Sequence, residues 1–315
     1  VLFEGTIFAI TRINLTQMLA TLALVLFLVL GTRRMKVVPG RFQSIAEMGL
    51  DFVRVNIAED ILGRKDGKRF LPILTTIFAS PYILGPRFVD ELDAAGGWKA
   101  IDEALQEPPT EEAMFDPITY KTDAAKERTV EVKAPEGAEV IETDEFGPTG
   151  WFLLLASRID PKIALGATDG WGGDQYVVYR QDDEVCLNAR IVGDTPKDEE
   201  QLRDALATWA SKSPKGTAEV TAGDDGVRFR SCDPGKDAKP AGKDVTPDTL
   251  ALPVIRTDIY TQAIEADQTP KQAACFANGV IEQFTVDQLN DPKGNFLGSD
   301  EGQQRLADLR SRCFG

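Results

Sequence analysis

Twenty consecutive uncharged residues, INLTQMLATLALVLFLVLGT at positions 13–32, lie between Arg12 and Arg33. A helix rising about 1.5 Å per residue carries that run across about 30 Å, one hydrocarbon thickness. Seven leucines with Ile13, Val25, Phe27 and Val29 favour insertion, each by roughly 0.3–0.6 kcal/mol, while Asn14 and Gln17 sit near an end where polar groups cost little. A secretory signal is the competing reading, but its apolar core is shorter and its positive flank precedes it. The run therefore predicts one membrane-spanning helix, with the lipid bilayer as its partner.

Charge changes sign where hydrophobic character changes. Residues 1–78 hold ten Lys/Arg against six Asp/Glu, and the remainder holds 25 against 44, within a net charge of -15. Such a balance excludes a nucleic-acid partner, because phosphate binding needs clustered Lys and Arg. Arg33, Arg34, Lys36 and Arg41 crowd the downstream flank of the run, which puts that flank in the cytoplasm by the positive-inside rule. Phe42, Ile45, Met48, Phe52 and Val55 then recur at three- and four-residue spacing, an amphipathic helix. The apolar stretch Phe70 to Ala79 is too short to recross a bilayer and is expected to end at Ser80-Pro81.

Beyond Pro81 the pattern is mixed. A helix is expected over 87–105, interrupted at Gly96-Gly97, and a buried helix over 151–159. Strands are expected at 130–133, 139–142, 176–179, 185–192, 218–221 and 227–231, with a helix over 198–212 between the fourth and fifth of these. Residues 233–248 have linker composition. Helices follow at 250–266, 270–284 and 302–312. The fold class is α+β: an N-terminal transmembrane helix plus amphipathic helix over 1–79, a mixed domain over 80–236, and a small helical C-terminal subdomain over 245–315.

The four cysteines, Cys186, Cys232, Cys275 and Cys313, show no CxxC spacing, which disfavours a zinc cluster. Paired as neighbours they close loops of roughly 40 residues, each worth roughly 4 kcal/mol, and imply an oxidising compartment. Four buried free thiols are the alternative. The chain has no histidine, so no metal, catalytic or cofactor residue is assigned and no cofactor is expected.

Two stretches carry resemblances. TRRMKVVPGRFQSIAEMGLDFVRVNIAEDILGRKDGKRFLPILTTIF resembles the early part of subunit a of the F-type ATP synthase in its actinobacterial form. That family translocates protons with an arginine on later helices, which do not follow here, so the resemblance implies a membrane anchor, with other ATP synthase membrane subunits as partners. PYILGPRFVDELDAAGGWKAIDEALQEPPTEEAMFDPITY, with DEFGPTGWFLLLASRID and ATDGWGGDQYVVYR, resembles gluzincin-type zinc metallopeptidase-like surface proteins over about residues 80–234. Their HExxH helix would lie where the subunit a-like stretch stands, so a non-catalytic binding module is implied. Asp116-Pro117 stands where many of them have His-Pro.

Several residues invite a functional reading with a plainer one beside it. Glu111 and Glu112 beside Asp116 could be paired acid–base carboxylates, but acids after Pro108-Pro109-Thr110 also suit a helix N-terminus. GWGGD has the wrong charge at Asp174 for a phosphate loop and reads as a tight turn packing Trp171. Trp98, Trp151, Trp171 and Trp209 read as core, and Asp51, Glu59 and Asp60 as solvated charges rather than a proton path. The two halves disagree on sidedness: the basic flank holds everything downstream in the cytoplasm, while the cysteines and the surface-protein likeness place it outside. A seam between two formerly separate genes at residues 78–81 is the expectation that reconciles them.

Overall fold

The computed structural model describes residues 64–120, 127–182, 184–223, 225–235, 238, 242–289, 291 and 294–315, with side chains from residue 72 onward. The uncharged run 13–32, the amphipathic pattern over 42–57 and the acids Asp51, Glu59 and Asp60 lie outside these residues. Among the described residues no helix is long and apolar enough to cross a membrane. The chain divides into two compact units, Val1–Leu71 and Pro72–Gly315, and the mixed α+β architecture is that of the second.

Helix α1, Arg64–Gln106, is longer than the sequence suggested, with Pro72, Pro81 and Pro86 inside it and non-helical angles only at Gly97 (φ 63°, ψ -159°). The expected stop at Ser80-Pro81 does not occur. Proline has no N–H to give the carbonyl four residues back, and here the Ser80 hydroxyl donates to that carbonyl, on Ile77, at 2.8 Å. Ile73, Ile83 and Leu84 of α1 pack into the main core of the second unit. Thr76, also buried, bonds through its hydroxyl to the Pro72 carbonyl at 2.9 Å and the Val245 carbonyl at 3.4 Å. Residues on both sides of the expected seam thus belong to one core.

After α2 (Glu111–Phe115) and a 3₁₀ turn at Pro117–Thr119, a five-stranded antiparallel sheet forms in the order β1-β2-β3-β5-β4. Its strands are β1 Glu139–Asp144, β2 Trp171–Gln181, β3 Glu184–Gly193, β4 Ala218–Gly223 and β5 Gly226–Cys232. The expected strand at 130–133 does not pair as one. Val132 instead gives its N–H to the Gln175 side chain at 2.9 Å, and the segment covers one sheet face over Val177, Tyr179 and the Cys186–Cys232 bridge. GWGGD is not a tight turn: β2 begins there, with a bulge between Trp171 and Gly173. A Cβ on Gly173 would sit 2.3 Å from the Arg128 carbonyl, and its φ of 139° lies where L side chains rarely go.

The other sheet face carries α3 (Gly147–Ala156), α4 (Pro161–Thr168) and α5 (Pro196–Ser211). Period-two alternation sends Ala189, Ile191, Val227 and Phe229 to this face. Phe229 receives Trp151 and Trp209 edge-on, with ring centres 5.8 and 5.6 Å away. The sequence pattern missed α4, whose start is fixed by the Asp160 side chain accepting the Lys162 N–H at 2.8 Å. Trp98 leaves the expected core set at 78% exposure, whereas Trp151, Trp171 and Trp209 are buried.

The C-terminal helices are α6 Ala251–Glu265, α7 Pro270–Gln283, α8 Val286–Leu289 and α9 Asp300–Phe314. They share the core of the sheet, since Leu250, Leu252 and Ile281 join the cluster around Trp151. Val245, within the stretch of linker composition, is buried there as well. Disulfides join Cys186 to Cys232, which face each other across β3 and β5, and Cys275 on α7 to Cys313 on α9. These are the two neighbour pairs the spacing suggested, and no described cysteine is free.

Candidate functional site

The chemistry of the second unit gathers at the N-terminus of α3. Four amide N–H groups at a helix start need partners, and the residue before this helix, Phe146, offers no side-chain cap. Two carboxylates from elsewhere replace it. Asp174 accepts from the Phe146 and Gly147 amides, both at 3.0 Å, and from the Trp171 indole at 2.9 Å. Glu111 accepts from the Thr149 amide at 3.3 Å. Its carboxylate lies so near Gly147 that an added Cβ would come within 2.4 Å of Oε2, and Gly147 has a φ of 70°. The φ is what favours glycine there, since the Glu111 carboxylate is the end of a flexible side chain that can swing aside.

Burial raises the Asp174 carboxyl above its ordinary value, against the pull of these hydrogen bonds. Glu111 is raised too, first by desolvation and then, against its Thr149 bonds, by the charges of Asp174 and Glu145. Glu127 is pushed up to about 7 by desolvation, by a hydrogen bond with Glu145, and by the negative charges of Glu145, Asp174 and Glu111. The result is a concentration of carboxylates, some of which hold protons near neutrality.

Glu111 and Glu145 open into a cleft of about 430 Å³ between α1, α2 and α3, walled by Ile77, Pro81, Leu84, Met114 and Leu153. Among the described residues no lysine or arginine lines it. A cleft of this volume with a few polar groups on an apolar wall has the composition of a small-molecule site.

Behind α2 the arrangement is closed. Glu112, one position along, is 1% exposed and neither carboxylate oxygen has a hydrogen-bond partner. Desolvation, followed by the charges of Asp194, Asp116 and Glu127, pushes it up to about 8. Asp116 pairs with the wholly buried Arg256 at 3.4 Å, and Arg256 also bonds Asp169. Burial outweighs that pairing and pushes Asp116 up to about 6. The helix-terminus reading holds for Glu111 and Glu112, which form the first turn of α2 after Thr110, while Glu111 also serves the start of α3. Glu112 and Asp116 are buried, which local spacing does not reveal; the one available signal is their i, i+4 relation, which puts them on one helical face.

A wider groove of about 790 Å³ runs past Glu91, Tyr120 and Tyr260 near the Gly97 kink. Tyr260 is pushed up to about 12 by burial, then by Glu91 and Asp116, so its phenol stays protonated. In the smaller cleft the Thr149 side chain bonds the Glu111 carboxylate. Among the described residues the one grouping of potential metal ligands is Glu184 with Cys186 and Cys232. Both sulfurs are held in the disulfide, so neither is available as a thiolate.

Residues 14–84 match the model of the ATP synthase A chain family, and residues 132–241 match that of a domain of unknown function, DUF8575. ATP synthase subunit a of Rhodococcus erythropolis (strain PR4 / NBRC 100887) is 46% identical over 78 residues, 25% of this chain and 28% of that relative. The Dinoroseobacter shibae subunit a is 46% identical over 68 residues, 22% of this chain and 27% of its own length. That of Paracoccus denitrificans is 40% identical over 79 residues, 25% and 30% respectively. The chain thus spans less than a third of the length of these relatives, and its N-terminal stretch is related to ATP synthase subunit a. No solved structure matches the chain.

Proposed function

We propose that this chain is a membrane-tethered, non-catalytic binding protein, anchored by its subunit a-like stretch and carrying its ligand cleft on the second unit. The observation that supports this most directly is the change of relationship along the chain. Residues 14–84 match one family, and residues 132–241 match another that has no part in the first. Subunit a similarity and the uncharged run 13–32 both favour membrane association. The absence of histidine favours binding over zinc-dependent hydrolysis for a scaffold that resembles gluzincin-type peptidases. The two disulfides favour an oxidising compartment for the second unit, and the basic flank Arg33, Arg34, Lys36 and Arg41 favours the cytoplasm.

Full-length chain reconstituted with vesicles tests the tether. Resistance to alkaline carbonate extraction is expected, with loss of resistance in a Leu22→Arg/Leu26→Arg variant, since each arginine at a helix centre costs roughly 2.5–3.5 kcal/mol. Extraction of the unmodified chain by carbonate would refute the anchor. A second reading, association with other ATP synthase membrane subunits, is favoured by the 46% identity over 78 residues. It predicts co-migration with those subunits on native gels after co-expression; migration alone would remove it.

A further inference from the structure

We propose that the cleft between α1, α2 and the N-terminus of α3 binds a primary ammonium group carried on a short apolar stem. This rests on the reading of the second unit as a binding module and names the ligand class that the module takes.

Two properties of the cleft point to that chemistry. Its polar end holds Glu111 and Glu145, and among the described residues no cationic side chain lines it to balance them. Asp174 and Glu127 add negative charge from just behind, and Glu111 is raised partly by Asp174 and Glu145, as carboxylates crowded without a counter-ion are. Ile77, Pro81, Met114 and Leu153 make the rest of the wall largely apolar, and its two hydroxyls are already engaged, Ser80 donating to the Ile77 carbonyl and Thr149 bonding Glu111. An anion would be repelled, and a neutral apolar molecule would strip water from the carboxylates without replacing it. An ammonium supplies three N–H donors to the two carboxylates, while its methylenes cover the apolar wall.

A divalent metal fits less well. Nowhere in this cleft do three acidic side chains bring ligand oxygens within 4.8 Å of one another among the described residues, and a hard cation needs several oxygens at bonding distance. Ammonium binding should also release protons, because a positive charge near Glu127, pushed up to about 7, favours its ionised form.

Isothermal titration of the full chain in nanodiscs with hexylammonium chloride at pH 7.5, with empty nanodiscs subtracted, tests the assignment. Hexylammonium is expected to bind at least tenfold more tightly than hexan-1-ol, with proton release visible as a dependence of the heat on buffer ionisation enthalpy. Glu111→Gln should weaken binding at least fivefold. Should that variant misfold, Glu145→Gln, at an exposed position, should do the same, while Asp287→Asn, an exposed acid elsewhere, should leave binding unchanged. Equal affinity for hexan-1-ol overturns the proposal, as does equal weakening by Glu145→Gln and Asp287→Asn, which would mean attraction to net charge alone. N-acetyl-lysine methylamide separates the two sources of such a group. Binding as tight as that of hexylammonium assigns the site to a lysine side chain of a protein, and tenfold weaker binding assigns it to a free amine. Loss of ammonium binding with carbonate resistance intact would remove the site and leave the tether; the reverse result would remove the tether alone.

Discussion

Replacing Glu112 by glutamine should flatten the pH dependence of stability of the second unit. Glu112 is 1% exposed, lacks hydrogen-bond partners at both oxygens, and is pushed from 4.5 to about 8. The folded carboxyl keeps a proton that the unfolded chain releases above about pH 4.5, so stability is full below that value and declines until about pH 8. A shift of about 3.5 units at 1.36 kcal/mol per unit gives a loss of about 5 kcal/mol between pH 4.5 and pH 8, an upper figure that local relaxation reduces. Asp116 and Glu127 decline with the same sign, being pushed up to about 6 and about 7. They remain in both proteins, so the difference between the two curves isolates Glu112. Urea unfolding of the full chain at pH 5, 6, 7, 8 and 9, followed by tryptophan emission, reads the second unit alone, because all four tryptophans lie beyond Pro72. Glu112→Gln should match the unmodified chain at pH 5 and exceed it by several kcal/mol at pH 9. Glu112→Met, which removes the buried polar atoms altogether, should behave alike. Parallel curves for all three proteins would show that Glu112 ionises normally and that its burial does not keep it neutral.

Arg256→Met leaves Asp116 buried without its partner and should cost about 3–5 kcal/mol in the same assay. Adding Asp116→Asn should restore a large part of that loss, whereas an additive double variant would count against coupling between them. Removing either disulfide by paired Cys→Ala substitution should lower stability by about 4 kcal/mol, from loops of 46 and 38 residues; unchanged urea midpoints would contradict the pairing. Gly147→Ala should destabilise by about 1–3 kcal/mol, because the new methyl sits on a positive-φ backbone. Thermal melts would show it, and an unchanged midpoint would mean that the backbone there yields freely. Vesicles containing the chain should show no proton leak above empty controls in a dye-quench assay, and flux above them would restore a transport role to the subunit a-like stretch.

Local pattern was enough for elements whose identity depends on neighbours along the chain. The strands around Tyr176 to Tyr179 and Val185 to Val192 alternated visibly. Helix α5, expected over 198–212, spans Pro196–Ser211 and is opened by a capping box of Thr195 and Asp198 that the sequence reading did not single out. The cysteine pairs followed from position, and the absence of histidine alone excluded a histidine-ligated site. What tertiary structure decided were the matters that depend on what lies across space. Pro81 reads as a helix stop until the Ser80 hydroxyl takes the carbonyl it strands. The segment 130–133 reads as a strand until β2 claims its hydrogen bond through a side chain. Residues 245–315 read as a separate subdomain until Leu250, Leu252 and Ile281 enter the core under the sheet. The carboxylates were least legible of all. Glu111, Glu112 and Asp116 occupy one short stretch, yet one caps a distant helix, one is sealed away neutral, and one is paired with an arginine 140 positions on. Charge in a sequence is only a formal count. Whether it is solvated, shared or suppressed depends on the dielectric and the partners that folding brings to it, and those exist only once the chain has closed on itself.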